Sequence, residues 1–212
     1  NILTLKKEDR KIFKSRFKKG KILEIDIQSA EPRVALAMFG KSIDGDIYRE
    51  VMASTGENIT RELAKVATLS ALYGASQHGL KSFLPEGVDA LRILDSVKEY
   101  FGVRHIEKMI KAQSEELGYI TNTHGRKIFS PDPSVNHLIQ SSAVDVSFDV
   151  FSKIINTIES KNIDAVPIYF IHDAILLDVS ESGYSEVLEI CKSGFLLDTI
   201  KVRIPVRIKE IS

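Results

Sequence analysis

Apolar and polar residues alternate in the segment K-I-L-E-I-D-I at residues 21–27, a pattern that predicts a short, half-buried strand with Asp26 at its end. Ser29 reads as the N-cap of a following helix. Pro32 suits that helix's first turn, and Gly40 stops it just after Phe39. A short helix is predicted over residues 47–53, after Gly45. A longer one, capped by Asn58 or Thr60, carries residues 61–73. Gly74 and Gly79 punctuate a tight region. Helical periodicity then runs over residues 88–101 and 103–117, split at Gly102. Residues 119–129 turn at Gly125 and read as a β-hairpin. Pro131 and Pro133 break the chain before a long helix over about 134–161. The β-rich runs 166–171 and 175–179 leave only His172, Asp173 and Ala174 between them, which predicts an antiparallel hairpin with His172 and Asp173 at its bend. A helix over about 184–194 precedes a last strand, 201–211, whose Val202, Ile204, Val206 and Ile208 alternate. This order predicts an α+β fold: an antiparallel sheet backed by helices, with an all-helical insertion over about residues 47–117.

Composition narrows the picture without deciding it. The chain has 212 residues, enough to bury a substantial core, and its formal charges cancel, so contact with nucleic acid would have to come from local patches. One patch is Lys6, Lys7, Arg10, Lys11, Lys14, Arg16, Lys18, Lys19 and Lys21. It reads equally as a solvated basic helix and as a phosphate-contacting one. The single cysteine, Cys191, excludes an internal disulfide and a multi-cysteine metal site. No apolar run spans a bilayer and no signal peptide is seen, which points to an intracellular compartment, cytoplasmic or similar, rather than secretion or a membrane. The first residue is Asn1, and the chain is expected to be part of a longer polypeptide or a processed product.

Candidate chemistry centres on residues 61–74, R-E-L-A-K-V-A-T-L-S-A-L-Y-G. Arg61, Lys65, Leu69 and Tyr73 recur every four residues and share a helix face. Two cations, an aliphatic platform and an aromatic ring suit a nucleoside triphosphate. Asp26 and Asp173 each end an apolar strand on either side of that helix. Carboxylates at the ends of neighbouring strands suit Mg²⁺, and two such ions roughly 3.5–4 Å apart clamp both oxygens of an in-line phosphoryl displacement. Taken singly, each aspartate reads as a turn residue, His172 as a partly buried histidine and Tyr73 as a core aromatic. Their joint occurrence, in this order, favours the chemical reading.

These residues resemble the palm and fingers of family A (Pol I-like) DNA polymerases over nearly the whole chain. The family's motif A is matched by Asp26, Glu31 and Arg33 in D-I-Q-S-A-E-P-R. Its fingers-helix motif is matched by Arg61, Lys65, Tyr73 and Gly74, and its His-Asp-Glu motif by His172 and Asp173. A G-Y-x-x-T-x-x-G-R signature is present at residues 118–126, and the asparagine and glutamine of the next helix are Asn136 and Gln140. The resemblance implies a palm over residues 1–46 and 118–212 and fingers over 47–117. It implies template-directed transfer of a nucleotide from a dNTP to a primer 3′-hydroxyl, with two Mg²⁺ ions. Asp26, Asp173 and the Ile27 carbonyl would be the metal ligands. Arg61 and Lys65 would hold the triphosphate, with Lys65 also protonating pyrophosphate, and Leu69 would lie beside the incoming nucleotide. Glu31 and Tyr73 would exclude a 2′-hydroxyl, His172 would lie near the primer terminus, and Arg126, Asn136 and Gln140 would contact primer-template DNA. Thumb and exonuclease segments would come from elsewhere in a longer chain or from another subunit.

The chain departs from the family's pattern at Leu69, where Phe or Tyr is usual, and at Ala174, which replaces the glutamate of the His-Asp-Glu motif. Ile27 and Pro32 also replace common motif A residues. Two other readings remain. A single-subunit RNA polymerase shares the Arg/Lys/Tyr-Gly spacing and accepts both departures, but it lacks a carboxylate at the Glu31 position. A catalytically inactive, nucleic-acid-binding module derived from a polymerase is the third.

Overall fold

The computed structural model describes residues 9, 12–171 and 173–211. Among them it has eight helices and eight strands, in an α+β arrangement with antiparallel sheets. The chain divides into two compact units. One comprises the described residues within 1–30, 144–197 and 203–212; the other comprises residues 31–143 and 198–202.

The first unit is built on a four-stranded sheet in the order β4 (Ala165–Ile171), β5 (Ala174–Val179), β1 (Lys21–Ile27), β8 (Val206–Glu210), with every neighbour antiparallel. Alternation in β1 puts Leu23, Ile25 and Ile27 on one buried face, and β5, paired on both sides, is buried along its length. Strand β4 lies at the sheet's edge. It tolerates Pro167 and a register irregularity between Pro167 and Tyr169, as edge strands do. Helix α7 (Val135–Ser160) runs from one unit into the other. In the first unit its Phe148 and Phe151 rings meet Phe170 of β4, with centroids 5.9 and 5.4 Å apart.

The predicted final strand is two strands. Pro205 has no N–H to give a ladder, and the chain breaks there into β7 (Val202–Ile204) and β8. Strand β7 pairs with β6 (Phe195–Leu197), a strand absent from the sequence reading, while β8 joins β1. The Pro205 carbonyl instead accepts the Gln28 amide at 3.0 Å. Ser29 is not an extended N-cap: its φ of 54° is left-handed, and helix α1 (Ala30–Met38) starts beyond that sharp bend. The basic patch is not helical over residues 13–20, which form turn and bend. There Arg16 and Ser15 bind the buried Asp178 carboxylate, the Ser15 hydroxyl donating at 2.6 Å, and Lys19 pairs with Glu181. Lys6, Lys7, Arg10 and Lys11 lie outside the described residues.

The second unit is helical apart from the hairpin β2 (Ile120–Thr121) and β3 (Lys127–Ile128). Helices α2 (Ile47–Thr55), α3 (Arg61–Leu72) and α5 (Ala90–Tyr100) pack on one another. The face α3 buries is mostly alanine (Ala64, Ala67, Ala71), and side chains this small allow close approach. A fourth, one-turn helix, α4, spans Gln77–Lys81 and contains Gly79. Gly102 separates α5 from α6 (Val103–Leu117) with φ 64°, and a Cβ there would clash with the Phe39 ring. Helix α8 (Tyr184–Lys192), in the first unit, buries Cys191, whose thiol is pushed up to about 12 by burial, as befits an inert core residue. Among the described residues no helix is long and apolar enough to cross a membrane. Gly102→Ala combines a left-handed backbone with overpacking and should cost about 2 kcal/mol. An unchanged urea midpoint would contradict this packing.

Candidate functional site

Two groups of residues, one in each unit, hold the candidate chemistry. In the first unit the β1–β5 register puts Asp26 opposite Ala174, and the Ile27 amide donates to the Asp173 carbonyl at 2.9 Å. The two aspartates are therefore diagonal neighbours across one strand pair, with Asp173 exposed at the hairpin bend. Burial, then the adjacent Asp173 charge, pushes the Asp26 carboxyl above the ordinary aspartate value; Arg207 pulls it part-way back. Arg207 lies opposite Asp26 on β8 and donates from Nη2 to Oδ2 at 3.1 Å. His172 lies outside the described residues.

Two carboxylates and the nearby Ile27 backbone make an all-oxygen donor set. Mg²⁺ takes one or two carboxylates with waters and substrate phosphates, so the set fits that ion. Among the described residues no group of three or more His, Cys, Asp or Glu is placed to hold a metal by itself.

In the second unit, α3 starts at the N-cap Thr60, whose hydroxyl accepts the Leu63 amide at 3.2 Å. With Ala64, Ala67, Thr68, Ala71 and Leu72 buried, the opposite face presents Arg61 and Lys65 exposed, Leu69 half-buried and Tyr73 exposed at the C-cap. Arg61 is engaged: its Nε donates to Asp46 Oδ2 at 2.6 Å and its guanidinium lies 5.1 Å from the Tyr48 ring centroid. That bond holds the Asp46 carboxyl below its usual value. Asp46 also caps α2 through the Tyr48 amide. Lys65 makes no ion pair among the described residues.

Tyr73 donates its hydroxyl to Glu31 Oε1 at 2.6 Å, and the Gln140 side chain bonds the same hydroxyl. Residues 31, 73 and 140 thus form one network from three helices. Asn136 carries a buried Oδ1 with no hydrogen-bond partner among the described residues, and it lines a cavity of about 450 Å³ together with Tyr73, Gly74, Lys98 and Lys111. Arg126 donates to the Ser141 carbonyl at 3.0 Å. The Asn122 side chain accepts amides from His124 and Arg126 and donates to Ser141, which shapes the hairpin loop. Arg33 is buried, with its guanidinium donating to the Ile43 and Gly45 carbonyls; burial pulls it below the ordinary arginine value. It clamps the loop before α2.

Sequence reasoning missed Arg207 and Asp46. Arg207 shows only as one polar position in an alternating strand, and its meeting with Asp26 depends on a strand register. Asp46 stands just before a predicted helix, an N-cap position, which was the one available signal.

The Tyr73 phenol is pushed up to about 12, first by burial and then by the Glu31 carboxylate that accepts its proton. Carbon-13 NMR of ring-labelled tyrosine should show Tyr73 ionising near that value in the wild type. In Glu31→Gln it should ionise at lower pH, because the negative acceptor is gone while burial remains. An identical titration in both proteins would contradict the network.

The family model described as DNA polymerase family A matches residues 4–210. DNA polymerase I of Pseudomonas aeruginosa is 25% identical over 171 residues, which cover 69% of this chain and 18% of that protein. DNA polymerase I of Rhizobium leguminosarum is 26% identical over 197 residues, covering 82% and 18%. The chain thus spans about 18% of the length of these curated relatives. The solved polymerase domain of Pol1 from M. smegmatis, in complex with a DNA primer-template and a dNTP, superposes with a TM-score of 0.73 at 19% identity, over 99% of this chain and 44% of that one. That likeness shows the fold. With a family match running almost from end to end, the chain belongs to DNA polymerase family A.

Proposed function

We propose that this chain is the palm and fingers portion of a template-directed DNA polymerase that adds dNTP-derived nucleotides to a primer 3′-hydroxyl. The observation that carries the reading is the pairing of β1 with β5, which makes Asp26 and Asp173 neighbours at one end of the sheet. Family membership supports it. On this reading the four-stranded sheet is palm and the helices over about 47–117 are fingers. Primer-template DNA and dNTP are the ligands, as in the complex of the M. smegmatis relative. The thumb would come from the rest of a longer polypeptide or from a partner.

Asp26, Asp173 and the Ile27 carbonyl would hold two Mg²⁺ ions. Such ions, when bound, activate the 3′-hydroxyl and stabilise the pyrophosphate leaving group. Lys65, exposed and unpaired among the described residues, binds the β and γ phosphates and gives its proton to pyrophosphate. Arg61 joins it by exchanging the Asp46 carboxylate for phosphate, a swap between two oxyanions that keeps its charge paired throughout. The Leu69 side chain lies beside the nucleotide on the same helix face.

The hydrogen bond between Glu31 and Tyr73 joins the two side chains that would flank the sugar and exclude a 2′-hydroxyl, which favours dNTP over rNTP and DNA over RNA synthesis. Gln140 and Asn136 read pair shape from the minor groove, and Arg126 contacts the backbone.

Asp173→Asn should fold normally and lose primer extension by about 100-fold or more, since the developing charge loses a stabilising group. Extension at the wild-type rate, measured in the full-length protein, would remove Asp173 from the reaction. On one primed template the wild type should prefer dNTPs. A ribonucleotide preference would turn the assignment toward RNA synthesis.

A further inference from the structure

The antiparallel pairing of β1 with β8 builds a ladder of opposite charges. Arg207 lies opposite Asp26, and Lys209 lies opposite Glu24, two residues earlier on β1 and two later on β8. Side chains at such opposed positions share a face of the sheet. The two pairs differ in setting. Glu24 and Lys209 are a cross-strand pair away from the bend, whereas Asp26 is the residue beside Asp173. Asp26 also faces Ala174, which has no polar group, and the cation bonded to it is Arg207, on the strand at its other side.

The geometry makes this cation exchangeable. The Asp26 side chain is 27% exposed and that of Arg207 is 71% exposed, so the guanidinium closes over the carboxylate from the solvent side. It takes one carboxylate oxygen, Oδ2, by a single contact rather than by a two-pronged fork. Arginine cannot shed its proton at working pH, so its charge is fixed; only its position can change. A divalent cation approaching Asp26 therefore meets a carboxylate oxygen already occupied and a positive charge beside it.

We propose that Arg207 is the resident counter-ion of the Asp26–Asp173 pair and sets that pair's affinity for a divalent cation, leaving Asp26 for solvent when the cation binds. The proposal rests on the metal-site reading above and adds to it a residue that tunes occupancy. Arg207 relieves repulsion between the two aspartates in the metal-free protein, and the same contact weakens metal binding. It is a positioning residue that acts through Asp26 and takes no part in bond making.

Mn²⁺ titration of the metal-free chain, without nucleotide or DNA, followed by electron paramagnetic resonance and by calorimetry, tests this. Arg207→Gln should bind Mn²⁺ about threefold to tenfold more tightly than wild type, the range expected when an exposed charge beside a cation site is removed. Arg207→Lys keeps the charge and should stay within about twofold of wild type. In EDTA, Arg207→Gln should melt below wild type, and saturating Mn²⁺ should raise its melting temperature by more than it raises that of wild type. Asp26→Asn separates the two claims. If Asp26→Asn loses Mn²⁺ binding but Arg207→Gln binds no more tightly than wild type, or Arg207→Lys binds as tightly as Arg207→Gln, the role of Arg207 is overturned while the metal site stands. If Asp26→Asn binds Mn²⁺ as wild type does, the metal-site reading itself fails.

Discussion

The register between β1 and β5 is the constraint on which the first unit depends. Side chains alternate along a strand, so a slip of one residue would turn Asp26 toward the core and Ile25 or Ile27 toward solvent. The buried run of Leu23, Ile25 and Ile27 against Ile175, Leu177 and Val179 forbids that slip. Apolar burial, a non-directional force, thereby fixes a polar geometry: two carboxylates end side by side at a hairpin bend. The arrangement carries an electrostatic cost, visible in the raised carboxyl of Asp26, and β8 offsets part of it by bringing Arg207 alongside.

A similar economy holds in the second unit. Helix α3 buries its small residues and leaves its long ones on the free face. Arg61 is held by Asp46, which also caps the neighbouring helix, and Tyr73 is held by Glu31 and Gln140. The charged groups of the candidate site are thus largely satisfied by other side chains. Binding on the proposed reading exchanges one polar partner for another, which is cheaper than desolvating a bare charge. Lys65 is the exception: exposed and without an ion pair among the described residues, it is the cation of α3 that a phosphate would meet first.

Much of this was legible in the sequence where local rules decide. Strand β1, helices α3, α6 and α7, and the β4–β5 hairpin follow from periodicity, capping residues and the shortness of the link at residues 172–173. The errors arose where tertiary context overrides a local signal. Alternation across residues 201–211 reads as one strand, yet Pro205 splits it because each half finds a different partner. Ser29 has an N-cap's composition, but the strand-to-helix bend demands a left-handed residue there. Of the candidate site, the helix face and the two strand-end aspartates could be read from spacing alone. Arg207 could not, since it becomes part of the site only through a pairing between residues 181 apart. Arg33 shows the converse. It belongs to a recognisable motif, yet its guanidinium is spent on two loop carbonyls.

The central claim is that Asp26 and Asp173 act as one cation-binding pair. Anomalous diffraction from crystals soaked in Mn²⁺ with a non-hydrolysable dNTP measures this directly. The account calls for Mn²⁺ peaks bridged by both carboxylates, and for two ions roughly 3.5–4 Å apart. Mn²⁺ bound elsewhere, or bound at Asp173 with Asp26 still held by Arg207, would contradict it.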